Sequence, residues 1–340
     1  MLKYSSTRKK LRLLSLYFLC PFLVAAEEIR VCLKEGESVR SLTRNFTSGY
    51  RGSVYLKKNG GRWLLINQVD IEDYIAGVLG QEMGPDWPME ALKAQAVCAR
   101  TVARVKRDEA RTRGAAYDIT LSHQLYGQCE HENVVAAVEE TQGQVLTFEG
   151  KPVMIFFHTC CGGATTTPEN VWSGTIQPCW TAVASCSCSN SPYATWQRTF
   201  TRDFLSRVFQ THVRTFQINQ TDSAGRALTI TLVGSTGKEL KMTAAEFRSR
   251  INSRAGTIFF NNQLMLPSTF FTLRQDGENF FLQGRGYGHG VGLCQWGARR
   301  MAEAGANYAE ILHFYFPLLE ITPTIKKEDY GNKDSFQNKS

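Results

Sequence analysis

Short apolar runs separated by turn-forming residues open the chain after its first fifty positions. Ser-Val-Tyr-Leu-Lys, then Asn59-Gly60-Gly61, then Trp63-Leu-Leu-Ile predict a hairpin over Ser53 to Gln68, with residues that tolerate positive φ at the turn. From Asp70 the period turns helical. Asp70 suits a cap, Glu72 and Asp73 suit the first turn, and Ile71, Ile75, Val78 and Leu79 share one face before Gly80. A second helix, entered through Asp86 and Pro88, carries Leu92, Ala96, Ala99 and Ala103 on one stripe and completes a helix pair.

Strand pattern returns from Gln144 to Thr159, with Glu149-Gly150-Lys151-Pro152 as the turn and a continuous apolar run from Val153 to Phe157 that ends at His158. Cys179 to Tyr193 is rich in Ser and Cys and reads as loop. Further hairpins are expected over Ala227 to Met242, about Gly237, and over Phe270 to Gln283, about Asp276-Gly277. Thr243-Ala-Ala-Glu246 is a capping-box pattern, and two short helices broken by Gly305 and stopped by Pro317 finish the chain. Hairpins interspersed with helices, lacking a regular strand–helix alternation, predict an α+β fold: a mixed, hairpin-rich β core with a helix pair near the N-terminal third and short C-terminal helices. The organisation expected is a leader over 1–26, a folded region over 27–320 with a subdomain at 198–265, and a polar tail over 321–340.

Composition narrows the classes. A hydrophobic content of 43% with 20 Phe excludes a disordered polymer, and 28 Gly with 10 Pro follow no collagen-like period. The formal charge of +8 suggests nucleic acid until it is located. Lys3, Arg8, Lys9, Lys10 and Arg12 precede any acid, and without them the count falls to about +3, so nucleic-acid binding loses its support. These charges, the apolar run Leu13 to Leu23, and Val24-Ala25-Ala26 before Glu27-Glu28 make a secretory signal cleaved after Ala26, too short for a comfortable membrane span. Export to the periplasm or cell envelope is expected. Nine cysteines remain after cleavage, an odd number for an oxidising compartment. Asn45-Phe-Thr and Asn219-Gln-Thr match the glycosylation pattern, which carries meaning only in a eukaryotic secretory pathway.

Candidate chemistry gathers in three places. Glu82 follows the first helix, near its negative end and beside Met83 and Trp87, which would raise its pKa toward that of a general acid for glycosidic cleavage. A solvated linker acid explains the same local sequence. Gly284 to Gly292 alternates glycine with Arg285, Tyr287, His289 and Val291, so the backbone can approach a ligand or another strand closely. His289 could bind substrate or satisfy buried carbonyls. Neither a P-loop lysine nor the dinucleotide spacing occurs, so nucleotides are unsupported. His158, Cys161, Cys186 and Cys188 offer ligands for a structural zinc, while disulfides among Cys161, Cys179, Cys186 and Cys188 account for the same residues. Cys98 reads as a small core residue.

Three separated blocks carry a resemblance: Gly77 to Thr101, which contains Gly-Gln-Glu-Met-Gly-Pro-Asp-Trp-Pro; His158-Thr-Cys-Cys-Gly-Gly163; and Gly284-Arg-Gly-Tyr-Gly-His-Gly-Val-Gly-Leu-Cys-Gln-Trp-Gly-Ala298. With Ser191-Pro-Tyr-Ala-Thr-Trp196 they closely resemble the stage II sporulation protein D family, which includes the LytB amidase enhancers, over roughly residues 50 to 317. The resemblance implies an envelope lytic transglycosylase that cuts the MurNAc–GlcNAc bond of peptidoglycan strands already stripped by an amidase. It places Glu82 on the catalytic glutamate, and Gln95, His158, Tyr193, His289 and Gln295 on positions that line or support a glycan groove. Implied partners are peptidoglycan strands and an N-acetylmuramoyl-L-alanine amidase, and the chemistry needs no cofactor. Some relatives bind zinc after the helix pair, where this chain has Asp118-Ile-Thr-Leu-Ser-His-Gln-Leu-Tyr126 with His123 in place of an expected cysteine. A non-catalytic glycan binder that stimulates an amidase, and a zinc amidase built on His158, His123 and the cysteines, are the competing expectations.

Overall fold

The computed structural model describes residues 27–44, 49–172, 174, 177–255 and 262–323. The expected leader over 1–26, the Asn45 pattern and the tail from 324 onward lie outside the described residues. The fold is α+β, with several small sheets and helices set between them. The first sheet runs in the order Ser53–Asn59, Arg62–Asp70, Glu28–Gly36, Ile119–Thr120, the last joined in parallel. Gly60 and Gly61 make the expected turn at φ 54° and 87°. Arg62–Asp70 is an inner strand, and its buried run Leu64, Leu65, Ile66, Asn67 reflects cover on both faces. Buried Asn67 is satisfied: its amide donates to the carbonyls of Arg51 and Ser53, and its oxygen accepts from Tyr126 Oη at 2.6 Å.

The helix pair packs on this sheet as Ile71–Glu82 and Met89–Thr112. Asp70 caps the first by accepting from the Glu72 amide at 2.8 Å. This helix does not stop at Gly80, as the glycine suggests, but continues to Glu82, with Met83 as its C-cap. Gly80 is required by packing instead: a Cβ there would lie 2.4 Å from Cys129 Cβ and 2.5 Å from its Sγ. Close approach also explains Gly77 on the preceding turn, where a Cβ would meet the Gly127 carbonyl at 2.4 Å. The two glycines therefore form a shallow trough along one helix face in which segment 126–129 lies. Gly80→Ala should regain about 1 kcal/mol of helix propensity but lose roughly 1–3 kcal/mol to overpacking. A lower urea midpoint is the expected outcome; an unchanged or higher one would show that Gly80 is not packing-constrained.

A second core collects Trp196, Phe200, Phe204, Phe216, Phe247, Phe271, Phe280 and their neighbours. Two three-stranded sheets surround it, one of Phe271–Asp276, Asn279–Gly284 and Trp196–Thr201, the other of Glu239–Thr243, Ala227–Gly234 and Val213–Thr221. Both expected hairpins are present, and helices Arg202–Phe209 and Ala244–Arg254 are capped by Thr201 and Thr243. Helices Gln295–Glu303 and Tyr308–Tyr315 pack on the first core.

Three expectations about strands change. Gln144–Phe148 forms as read, but the turn is only Glu149-Gly150, and Lys151–Pro152, expected within it, is the partner strand. Of the apolar run from Val153 only the end is a strand, Phe157–His158, paired in parallel with Leu293–Cys294. The preceding residues are held by other bonds, since the Met154 carbonyl accepts from Trp180 Nε1 at 2.8 Å and the Phe156 carbonyl from the Leu293 amide at 3.0 Å. Their apolarity reports burial, not ladder pairing. Residues 321–323, expected to begin the polar tail, belong to strand Glu320–Pro323, which pairs with Gln144–Phe148.

Candidate functional site

Glu82 ends the first long helix, and the peptide trough on that helix supplies its partner. Tethered by buried Gln124, which accepts from Tyr74 Oη at 3.0 Å and donates to the Ala99 carbonyl at 3.2 Å, the following backbone brings the Leu125 amide 2.8 Å from Glu82 Oε1. Burial raises the Glu82 pKa above its ordinary value, and the hydrogen bond from Leu125 and the nearby Gln295 amide only partly offset it. Gln295 approaches without closing to a full hydrogen bond, for its Nε2 has no partner within bonding distance. The carbonyl end of the helix disfavours the anion further. Among the described residues Glu82 forms no ion pair, so it is a half-buried carboxyl with one fixed oxygen.

Gln95, on the long helix, is fully buried with both amide atoms lacking a hydrogen-bond partner, an unusual state for a side chain with both donors and an acceptor. Trp87 does not stand free beside Glu82; it meets Trp296 edge to face at 5.2 Å, and the Arg299 guanidinium lies over both indoles. Trp296 also donates its backbone amide to the Thr159 carbonyl at 3.1 Å. Through this helix start and the pairing of Cys294 with His158, the Glu82 and Gln295 region is continuous with the histidines.

His158 is buried, with Nδ1 3.0 Å from the Val291 carbonyl and Nε2 without a partner. His289 Nδ1 accepts from the Val291 amide at 3.1 Å, and the two rings lie 5.4 Å apart. Desolvation pushes His158 well below its ordinary pKa, assisted by His289, and pushes His289 down to about 3 with help from Arg248. Both are neutral at pH 7, so the pair offers hydrogen-bonding atoms without charge. Exposed Trp172 covers His289 at 5.0 Å between ring centres. Tyr193 enters through Tyr287, its ring 4.7 Å away, and both rings are exposed.

The glycine alternation brings backbone against backbone. Gly286 and Gly292 have φ of 81° and 70°, and a Cβ on them would meet the Cys160 carbonyl at 2.7 Å and the Phe156 carbonyl at 2.1 Å. A Cβ on Gly290 would strike buried Arg226, whose Nη2 donates to the Cys161 and Ala164 carbonyls at 3.0 and 3.2 Å. Sequence reasoning singles out neither Arg226 nor the Leu125 amide. A basic residue at the start of an aliphatic strand, and a backbone donor in a loop, carry no local pattern.

The thiols gather differently from expectation. The Sγ atoms of Cys161, Cys186, Cys188 and Cys294 lie within 4.8 Å of one another and all four residues are buried. His158, expected among the ligands, is bonded to Val291 instead, and Cys294 takes the fourth place. All nine described cysteines are free, Cys98 lies fully buried in the first core, and Cys179 stands apart from the four. Sulfur hydrogen bonds from Cys160 and Cys161 pull the Cys188 thiol pKa down, while those shared with Cys186 and Cys188 push Cys161 up. The zinc set that the resemblance implies near Asp118 does not fit: His123 Nδ1 lies 2.8 Å from Thr120 Oγ1, Asp118 is held by Arg30, and among the described residues neither joins a cluster of metal ligands.

A cavity of about 230 Å³ is lined by Ser187, Cys188, Asn190, Trp296, Arg299, Arg300 and Glu303, and Glu82 is not in its wall. Among the described residues no helix is long and apolar enough to cross a membrane.

Sequence comparison relates the chain to known proteins. The family described as Stage II sporulation protein matches residues 59–148, which include the helix pair and Glu82. An uncharacterized protein of Brachyspira hyodysenteriae is 34% identical over 281 residues, covering 80% of this chain and 72% of its own. The stage II sporulation protein D of Bacillus amyloliquefaciens is 30% identical over 274 residues, covering 76% of this chain and 75% of its own. The amidase enhancer of Bacillus subtilis is 27% identical, and this chain spans 40% of its length. The shared length, the matched helix pair and the named relatives together establish that the chain belongs to the stage II sporulation protein D family.

Proposed function

We propose that this protein acts on the cell wall as an exported lytic transglycosylase, with Glu82 as its acid and base. The observation that carries the reading is the state of that carboxyl: half-buried, unpaired by any cation among the described residues, raised in pKa, and pinned through Oε1 to the Leu125 amide. Pinning one oxygen leaves Oε2 to carry the proton. In the reaction proposed, Oε2–H protonates the oxygen between MurNAc and GlcNAc as the bond to MurNAc C1 breaks. The C6 hydroxyl of the same MurNAc then bonds to C1 and returns its proton to the carboxylate. No water is consumed, and the second carboxylate that a hydrolase needs is not required.

Gln295 supplies an amide group near the acid, and half-buried, neutral His289 supplies an uncharged donor or acceptor to sugar hydroxyls, while Gln95 and His158 are buried and support the site without reaching solvent. The exposed faces of Trp172, Tyr193 and Tyr287 suit the apolar faces of pyranose rings. The extended glycan strand is proposed to lie across these exposed rings. Peptidoglycan from which an amidase has removed the stem peptides is the substrate proposed, and such an amidase is the functional partner. The relative named amidase enhancer supports the second point.

The test is product analysis. Full-length protein incubated with amidase-treated sacculi should release fragments ending in 1,6-anhydroMurNAc. Reducing ends would instead identify a hydrolase, and binding to the strands with no fragments released would identify a non-catalytic enhancer.

A further inference from the structure

Four buried sulfurs from three separate chain segments meet at one point. Cys161 follows the His158 strand, Cys186 and Cys188 lie in the Ser- and Cys-rich loop, and Cys294 caps helix Gln295–Glu303. The Cys161 and Cys188 sulfurs are 3.6 Å apart. A tetrahedral zinc with Zn–S bonds of about 2.3 Å has sulfur–sulfur edges of about 3.8 Å, close to this spacing. A disulfide framework would instead draw the four into two separate pairs, and Cys186 and Cys188, two residues apart, would each need a different partner.

Hydrogen-bond donors converge on two of the sulfurs. Cys294 Sγ accepts from the Cys161 amide at 3.3 Å and from the Gly297 amide at 3.4 Å, at the start of a nine-residue helix. Tyr315 Oη lies 3.1 Å from Cys186 Sγ and can donate to it. Gly297 admits this approach, because a Cβ there would sit 2.5 Å from Cys186 Sγ and 2.0 Å from Tyr315 Oη. Four thiolates around a divalent ion carry a net charge of −2, and fully buried Arg226 donates to the carbonyl of Cys161 with no ion pair of its own among the described residues.

We propose that Cys161, Cys186, Cys188 and Cys294 bind one zinc ion as four thiolates, releasing four protons to solvent, and that this centre locks the start of helix Gln295–Glu303 against the His158 strand. Gln295 follows a ligand directly, so the centre is a positioning device for the wall that faces Glu82. Cys160, whose Sγ is 3.5 Å from that of Cys188, stays outside the set. The centre is closed, with no position for a reacting ligand, and its existence does not depend on the activity proposed above.

Full-length protein purified under reducing conditions should contain about one zinc per chain, and four of its thiols should react with a disulfide reagent only after a chelator is added. Cobalt exchanged for zinc should give the intense thiolate charge-transfer and tetrahedral absorption of a four-sulfur site. His158→Gln and Cys160→Ser should keep that spectrum; Cys294→Ser should lose it, with affinity reduced at least about tenfold in chelator competition. Metal-free protein with disulfides among these residues would overturn the proposal, as would a cobalt spectrum abolished by His158→Gln and spared by Cys294→Ser. Because metal content and the cobalt spectrum are read on the unaltered protein first, misfolding of a variant cannot decide the outcome.

Discussion

Glu82→Gln is expected to lower release of anhydro fragments from denuded glycan by about 10²- to 10⁴-fold while making the protein more stable at neutral pH. The substitution removes the transferable proton but keeps an oxygen for the Leu125 amide, so the fold around the site is retained. Its effect on stability follows from the direction of the pKa shift. Burial raises the folded-state value above the ordinary 4.5, so between the two values the folded protein binds more protons than the unfolded chain. Stability therefore falls as pH rises through that interval, and the native protein carries the cost of the buried anion above it. Glutamine carries none. Thermal melts should show the variant above the native protein at pH 7 and the two converging below about pH 4, where both states of the native carboxyl are protonated. The same shift gives the rate its alkaline limb: activity requiring protonated Glu82 declines as pH rises through the raised pKa. Full activity in Glu82→Gln would remove the proposed acid; a variant no more stable than the native protein at pH 7 would show that burial does not strain the carboxyl.

The sequence makes Glu82 visible for a reason only half right. Its apolar neighbours and the nearby helix end suggest a raised pKa, and both are present. Gly80, however, reads as a stop signal when only local propensity is considered, and the helix runs past it because Cys129 presses on that face. That contact is 49 positions away in the chain. The same contact brings the Leu125 amide, and no pattern at Leu125 marks it as a donor. The thiol cluster shows the same limit. Cys161, Cys186 and Cys188 are conspicuous because they are close in sequence, but Cys294 stands among glycines far downstream and His158 stands beside the pair. Proximity along the chain favours histidine; the parallel pairing of Leu293–Cys294 with Phe157–His158 selects Cys294. Hairpins and caps, which depend on residues within one turn of each other, are legible in the sequence, and the pairing between distant segments is not.

Arg100→Met is expected to destabilise the fold by about 3–5 kcal/mol, the cost typical of leaving one charge of a buried pair uncompensated. Arg100 is 1% exposed on the long helix and binds Glu72 through Nε at 2.9 and 3.0 Å and through Nη2 at 2.6 Å. It also donates to the Gln144 and Val138 carbonyls, and Glu72 accepts in addition from the Gly143 amide. One guanidinium thus joins the first turn of helix Ile71–Glu82 to the end of helix Glu132–Glu140 and to strand Gln144–Phe148. Lysine cannot reproduce this planar fork, so Arg100→Lys should lose much of the same stability. Replacing both partners, as Arg100→Met with Glu72→Met, removes the stranded carboxylate and should recover a large part of the loss. Urea unfolding free energies of the native protein, Arg100→Met, Glu72→Met and the double variant give the coupling energy. Additive losses would mean that the pair is not coupled. A strong coupling would have a consequence for the site, since Glu72 and Glu82 sit at opposite ends of one helix of 12 residues: the pair that fixes its first turn sets the axial position of its last residue, and with it the reach of Oε1 to the Leu125 amide.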